Sequence, residues 1–477
     1  MWSLRDKGPR DAFYLGLITG LVYFLGTLYW VVNSITVYGK VPIAIGSIIL
    51  LLLCLYLALY IGVFSLFFSI LIKRSKLPAL FFAPVIWVTL EYARSYALTG
   101  FPWSSLGYSQ YRFLELIQIA DITGVYGISF LVVAFNGAIF DISFYKKRRR
   151  EMPLFPSSPT IIGSILLALI IAITLFYGMW QLNRDEGGRR IRVSVVQGNI
   201  DQAKKWDIKF QRQVIDAFER LTGEVAKDSP ELIVWPETSV PFIFGLDMEH
   251  SEEIVKFEKG LNTYLLFGST MVKDIKDGKY LMTNSAILLD PDGKVDSFYD
   301  KIHLVPYGEY VPLKKIFPFI DKLVTSIGDF IPGNRYTVFE LPDARFGTVI
   351  CYEIIFPGLV RKFVDRGADF IVTITNDAWF GRTSAPYQHF SMAVFRAVEN
   401  RVPVVRAANT GISGFIDDKG RIIWRSGIFK EAAMTKSIAI GHKKSFYTRY
   451  GDLFSFACII VFIAIISNNL FRSGKGR

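Results

Sequence analysis

Six stretches of this chain are apolar for long enough to cross a lipid bilayer, and no other feature constrains its fold as strongly. In hydrocarbon every backbone N–H and C=O must be paired inside the protein, so a crossing segment is a helix of about 20 residues or a strand of a closed barrel. Nearly uncharged apolar runs lie near residues 12–33, 41–72, 78–98, 117–145 and 160–181, with a sixth near 453–471. Their lengths predict helices. The run 41–72 is longer than one perpendicular crossing, which implies tilt or a partly interfacial end. The first run is too long for the core of a secretory signal and no small-residue cleavage site follows it, so it is expected to stay as an anchor. Cys54 and Cys458 fall inside such runs, as packed or lipid-facing small residues.

A formal net charge of +12 suggests nucleic acid until its location is noted. Residues 1–11, 73–76, 146–151 and 472–477 carry 14 Lys or Arg against Asp6, Asp11 and Glu151, which leaves +11 of the +12 in four short stretches. These alternate with weakly charged connections around Lys40 and Arg112, the asymmetry of cytoplasmic loops. The basicity reports topology, and no nucleic-acid partner is expected. With both termini inside, five spans carry the block between about 185 and 445 to the opposite face.

At "QLNRDEGGRRIRVSVVQGN" a polar linker gives way to an alternating apolar run, so the expected domains are 1–184 (a bundle of about five spans), 185–445 (soluble) and 446–477 (a helix and a basic tail). Within the soluble block, β-rich runs such as "IRVSVVQG", "ELIVWPET", "YLLFGSTMV", "NSAILLD", "FGTVICYE", "DFIVTITN", "VPVVRAAN" and "GISGFIDDKGRII" are separated by helical or turn-rich stretches. They predict a layered α/β or α+β domain with interior strands.

Three residues with chemical potential sit at the ends of such runs: Glu237 in "IVWPETSVP", Lys301 in "YDKIHLVPYGEYVP" and Cys351 in "VICYE". Singly, each has an ordinary structural account as turn carboxylate, surface ammonium or buried thiol. Together they meet a shared need, because a thiol requires a base to become a nucleophile and a fixed cation to stabilise the oxyanion it generates.

These segments resemble the Glu, Lys and Cys motifs of the nitrilase, or carbon-nitrogen hydrolase, superfamily. With "LTGFPWSSLGYSQ", "VVQGNI", "WPET", "HLVPYGEYVP", "CYEI" and "NDAWFG", and with helices on both sides, the chain from about residue 12 onward is similar to the bacterial apolipoprotein N-acyltransferases, the membrane-embedded branch of that superfamily. The resemblance implies a multi-pass α-helical membrane bundle plus an α/β nitrilase-like αββα sandwich, held in the bacterial inner membrane with the catalytic domain on the periplasmic face. It implies two substrates: a membrane phospholipid, usually phosphatidylethanolamine, as acyl donor, and the N-terminal cysteine amine of a diacylglyceryl apolipoprotein as acceptor. Carried over, Glu237 is the general base, Lys301 stabilises the tetrahedral intermediate and Cys351 carries the acyl group as a thioester in a ping-pong reaction. Glu309 would orient Lys301, Glu353 matches a further acidic position, and the Tyr352 backbone N–H would be a second oxyanion donor. No cofactor is implied.

Other residues keep two readings. The stretch "VPLKKIFPFIDKLVTSIGDFIPG", with Phe317, is either an interfacial lid or a buried helix. Trp103, Trp235 and Trp379 are either acyl contacts or core anchors. Glu91 and Arg94, at helical spacing in the third run, are expected to form a structural ion pair. His250, His303, His389 and His442 lie in no recognisable protease context, and no clustered Cys or His spacing suggests a metal. No phosphate-cradling Gly loop appears, so no ATP site is expected. Relatives in the family begin with two further membrane segments, a change that preserves the side on which the N-terminus lies. Two other functions fit parts of the sequence. A membrane-anchored amidase would keep Glu237, Lys301 and Cys351 but leaves the apolar bundle without a purpose, and a non-catalytic scaffold leaves the three residues without one.

Overall fold

Helices form where the apolar runs lie: Pro9–Leu28, Ile43–Arg74, Ala79–Tyr96, Val125–Arg148, Ser158–Leu182 and Leu453–Gly474. The computed structural model describes residues 1–75, 77–148, 158–184, 188–202, 205–276, 278–310, 330–441 and 443–474. They fall into two units, Met1–Val32 with Ile43–Arg184 and Tyr450–Arg477, and Asn33–Pro42 with Asp185–Arg449.

In the first unit, Pro9–Leu28, Ile43–Arg74, Val125–Ser143 and Pro159–Leu182 are long and apolar enough to cross a membrane. The helix Ala79–Tyr96 has 18 residues, contains Pro84 and is buried along most of its length, so it packs among its neighbours. Pro9–Leu28 meets Ile43–Arg74 through small residues: a Cβ on Gly16 would stand 2.3 Å from Ser65 Oγ, and one on Gly20 would stand 2.8 Å from Ala58 Cα. This GxxxG spacing lets two backbones approach where lipid supplies no hydrophobic drive. Asp141 accepts from the Ala79 and Leu80 amides at 3.0 and 2.9 Å, satisfying the exposed donors at the start of Ala79–Tyr96.

Two expected boundaries move. The run at 117–145 forms its long helix only from Val125, after the single turns Leu114–Ile117 and Ala120–Thr123. Asp121 there turns inward to accept from the Tyr177 hydroxyl at 2.6 Å and Gln181 Nε2 at 3.2 Å. The run at 12–33 leaves its first helix at Leu28, and Asn33–Pro42, assigned to the bundle from sequence, belongs to the second unit. The cause is specific: Asn33 Nδ2 and Ser34 Oγ donate to the Trp379 carbonyl at 3.2 and 2.8 Å, and the Tyr38 ring stands 5.0 Å edge-on to Trp379.

Among the described residues the second unit holds two six-stranded sheets. The first contains β1 (Arg189–Gln197), β2 (Leu232–Val234), β3 (Tyr264–Lys276), β4 (Lys279–Leu289), β5 (Val295–Asp300) and β12 (Ala432–Ile440), in the order β12-β1-β2-β3-β4-β5 once all are placed. The second contains β6 (Val338–Glu340), β7 (Arg345–Ile350), β8 (Phe370–Thr375), β9 (Val404–Ala408), β10 (Gly414–Ile416) and β11 (Ile422–Arg425), in the order β11-β10-β9-β8-β7-β6. Each sheet has a parallel centre, β1-β2-β3 in one and β7-β8-β9 in the other, flanked by antiparallel strands. β1 faces β9 and β4 faces β7, so the sheets stack with helices outside, an αββα sandwich. Strands covered on both faces are mostly apolar, and β8 and β9 are buried at every residue, with Thr373, Thr375 and Arg406 as their polar members. Helix Gln211–Ala226 covers the first sheet with an amphipathic stripe of Val214, Ile215, Phe218, Leu221 and Val225. β5, β6 and β12 were not among the runs read from sequence.

Candidate active site

The carboxyl ends of the parallel strands are where an open α/β sheet presents side chains to a ligand. β2 ends at Val234 and leads to Glu237; β7 ends at Ile350 and leads directly to Cys351; the antiparallel β5 ends at Asp300 and delivers Lys301. All three side chains are buried, Lys301 to 1% exposure.

The turn at Cys351 is strained. The residue takes φ 51°, the left-handed region that side chains with a Cβ avoid at a cost of about 1–3 kcal/mol. Glu353 holds the turn: Oε1 accepts from the Tyr299 hydroxyl at 2.8 Å and from the amides of Ile302 and His303 at 2.8 and 3.0 Å, while Oε2 accepts from the Ile350 amide at 2.8 Å. One carboxylate thereby ties the Cys351 turn to the loop after Lys301. Burial pushes Glu353 up to about 7, against the pull of those donors.

Lys301 Nζ lies 2.9 Å from Glu309 Oε1 and 3.7 Å from Glu237 Oε1. Burial works against its charge, but Glu309 and Glu237 more than restore it, so the ammonium is firmly protonated. Burial and the Glu237 carboxylate push the Cys351 thiol far above its ordinary value, with Lys301 pulling the other way. Cys351 therefore rests as a neutral thiol, and any attack by its sulfur would need proton removal to accompany it.

Glu237 is fixed by groups that sequence reading missed. Asn284 Nδ2 donates to Glu237 Oε1 and to Glu309 Oε1, each at 2.8 Å, and the Asn376 amide donates to Glu237 Oε2 at 2.8 Å. Lys205, 2% exposed, donates to the Glu237 carbonyl at 3.4 Å and is lowered to about 8 by burial, with Glu237 opposing. Gly268 on β3 admits this loop, since a Cβ there would stand 2.4 Å from the Thr238 nitrogen. Asn284 and Asn376 lie in stretches quoted above for their strands, "NSAILLD" and "DFIVTITN". For Asn284 the signal available was a polar residue at a buried strand position; Asn376 follows β8 and acts through its backbone N–H, which no residue type announces.

The further candidates separate. Trp235 belongs to the core and is corrected as an acyl contact: its ring stacks 5.0 Å from Phe218, its indole N–H donates to Thr222 Oγ1 at 2.9 Å, and it is 1% exposed. Trp379 remains 39% exposed at the edge of the Asp377–Phe380 turn. Trp103 is buried in the bundle 4.8 Å from Trp30. Glu91 and Arg94 stand 3.9 Å apart, yet their shorter contacts go to the loop that carries Trp103: Glu91 accepts from the Leu106 amide at 2.8 Å, and Arg94 donates to the Trp103 carbonyl at 2.7 Å. The pair clamps a loop more than it forms an ion pair. Phe317 and its segment lie outside the described residues. Among the described residues no group of His, Cys, Asp or Glu is placed to hold a metal ion.

The sequence profile of the carbon-nitrogen hydrolase family matches residues 192–442, and that of the apolipoprotein N-acyltransferase N-terminal domain matches residues 1–138. The apolipoprotein N-acyltransferase of Geobacter metallireducens is 46% identical over 95% of this chain and 86% of its own length. That of Pasteurella multocida is 31% identical over 94% of this chain and 85% of its own. Among solved structures, an amidase of Nesterenkonia sp. AN1 aligns with 17% identity and a TM-score of 0.40, covering 55% of this chain and 96% of that one. The chain belongs to the apolipoprotein N-acyltransferase family, a membrane acyltransferase whose second unit is a carbon-nitrogen hydrolase sandwich.

Proposed function

We propose that this enzyme moves an acyl chain from a membrane phospholipid, with phosphatidylethanolamine as the usual donor, through a thioester on Cys351 to the N-terminal cysteine amine of a diacylglyceryl apolipoprotein. We place it in the bacterial inner membrane with the sandwich on the periplasmic face. The observation that carries the reading is the left-handed turn at Cys351, held beside an ammonium and a carboxylate that both act on its charge.

The reaction is ping-pong. Glu237 takes the thiol proton as Sγ attacks the glycerol ester carbonyl, and the new oxyanion is stabilised by Lys301 and the Tyr352 N–H. The tetrahedral intermediate collapses, the C–O bond breaks, and the glycerol oxygen leaves with the proton from Glu237 as a lysophospholipid. The acceptor amine then attacks the thioester, Glu237 takes its proton, and the thiolate leaves and is reprotonated. Glu309 and Asn284 support this cycle by setting where Lys301 and Glu237 stand. An ammonium drawn to both Glu309 and Glu237 stays charged throughout, as an oxyanion partner must.

Intact-protein mass after incubation with phosphatidylethanolamine alone tests the reading. A gain of one acyl chain that neutral hydroxylamine removes, absent in Cys351→Ala, is the expected result. Acyl transfer that persists in both Cys351→Ala and Cys351→Ser removes Cys351 as the nucleophile.

A further inference from the structure

The catalytic cycle above leaves unused a buried set of charges that meets the backbone of Cys351. His389, on helix Ala385–Asn400, has no exposure, and its Nε2 lies 3.1 Å from the carbonyl oxygen of Cys351. Its Nδ1 lies 3.0 Å from Asp377 Oδ1 and 2.9 Å from Arg406 Nη2. Arg406 Nη2 also donates to Asp377 Oδ2 at 2.8 Å, Arg406 Nε donates to the Ile412 carbonyl at 3.0 Å, and the Thr375 hydroxyl donates to Asp377 Oδ1 at 3.0 Å. Helix, β9 and the turn after β8 thus converge on one imidazole.

A carbonyl oxygen can only accept, so Nε2 carries a proton. If the ring is neutral, Nδ1 accepts from Arg406; if it is a cation, Nδ1 donates to Asp377. Nε2–H remains on Cys351 in both states. Burial and Arg406 lower the proton affinity of His389, with Asp377 opposing, which favours the neutral ring. With both nitrogens engaged this way, the ring is set up to hold a peptide and not to shuttle a proton.

The peptide it holds matters. The Cys351 C=O and the Tyr352 N–H are the two ends of a single planar trans unit, pointing in opposite directions. Fixing the carbonyl therefore aims the amide, and a hydrogen bond to the oxygen polarises the N–H on the far side.

We propose that His389, locked by Asp377 and Arg406, is a positioning residue that aims the Tyr352 N–H at the oxyanion through the Cys351 carbonyl. The proposal rests on the reading that Cys351 is acylated and that this amide serves the oxyanion. It also accounts for how a left-handed, non-glycine turn keeps one orientation: its carbonyl is gripped from one side and its Glu353 carboxylate from another.

Two substitutions of similar polarity separate this role from simple core packing. The side-chain amide of His389→Gln reaches the Nε2 position and keeps a donor for the carbonyl; that of His389→Asn reaches only the Nδ1 position. In full-length enzyme with labelled phosphatidylethanolamine, single-turnover formation of the hydroxylamine-labile adduct is expected to be about tenfold to hundredfold slower in His389→Asn, the scale of one lost buried hydrogen bond. His389→Gln should recover most of that loss. The lipid concentration for half-maximal rate, the iodoacetamide reactivity of Cys351 and the shape of the pH profile should be the same in both. Equal rates in the two variants, a change confined to the half-saturating lipid concentration, or loss of a pH limb would overturn the proposal. Absence of the adduct from wild-type enzyme would instead overturn the thioester reading on which it stands.

Discussion

Glu309→Gln is the substitution whose effect follows most directly from the distances in the site. Lys301 Nζ is shared unequally, 2.9 Å from Glu309 Oε1 and 3.7 Å from Glu237 Oε1. Neutralising Glu309 leaves Glu237 as the sole carboxylate within reach among the described residues, and the ammonium should close onto it. At an effective dielectric of about 20, an ion pair at 2.9 Å gains about 5.7 kcal/mol and one at 3.7 Å about 4.5 kcal/mol, so the move strengthens the grip on Glu237 by about 1.2 kcal/mol. Under the proposed mechanism that energy has to be given back when Glu237 accepts the thiol proton, which slows acylation by about a factor of ten. The displaced ammonium also loses its aim at the oxyanion, worth about a further factor of ten or more. The expected loss is therefore on the order of a hundredfold in the single-turnover rate of adduct formation from phosphatidylethanolamine. Glu309→Asp, which keeps the charge, should lose less. A Glu309→Gln enzyme that acylates at the wild-type rate, or a Glu309→Asp enzyme as slow as Glu309→Gln, would refute the reasoning.

The same geometry sets further outcomes. Because burial and Glu237 raise the Cys351 thiol, iodoacetamide should react with it far more slowly than with a free thiol at pH 8, and the rate should climb without a plateau toward alkaline pH; a plateau near pH 8 would contradict this. Burial holds Glu353 protonated up to about 7, above the ordinary carboxylate range, so the folded state keeps a proton that the unfolded chain has already lost. The contribution of this group to stability therefore falls as pH rises from the ordinary range toward 7 and is level above it, and Glu353→Gln should flatten that part of a melting-temperature profile in detergent. Gly268→Ala places a methyl 2.4 Å from the Thr238 nitrogen, so it should cut adduct formation by shifting Glu237 while the bundle stays intact, read as lost acylation with retained membrane insertion. Gly20→Leu should do the reverse, loosening the contact with Ala58 and lowering the melting temperature.

Several parts of this molecule are written in local sequence. Uninterrupted apolar runs of about 20 residues are too long for barrel strands, so in hydrocarbon they pair their backbone internally as helices. Buried parallel strands such as β8 and β9 announce themselves because both faces are covered and most of their residues are apolar. Glu237, Lys301 and Cys351 drew notice because charged or reactive groups at the ends of such strands need a reason to be there. The strands that escaped notice are β5, β6 and β12, whose partly exposed residues carry the mixed pattern of a sheet edge.

What tertiary structure alone decided is who meets whom. Asn284 looks like any strand asparagine until β4 brings it between Glu237 and Glu309. His389 reads as one histidine on an amphipathic helix until packing sets its Nε2 against the Cys351 carbonyl. Trp235 is as plausible a lipid contact as Trp379 until the core closes over it. Asn33–Pro42 follows a membrane helix in sequence, yet hydrogen bonds to the Trp379 carbonyl attach it to the second unit. Local sequence determines periodicity, length and polarity, which suffice for helices, interior strands and the residues that sit at their ends. Contacts between residues far apart in the chain depend on the relative placement of whole elements, and no short window of sequence contains that information.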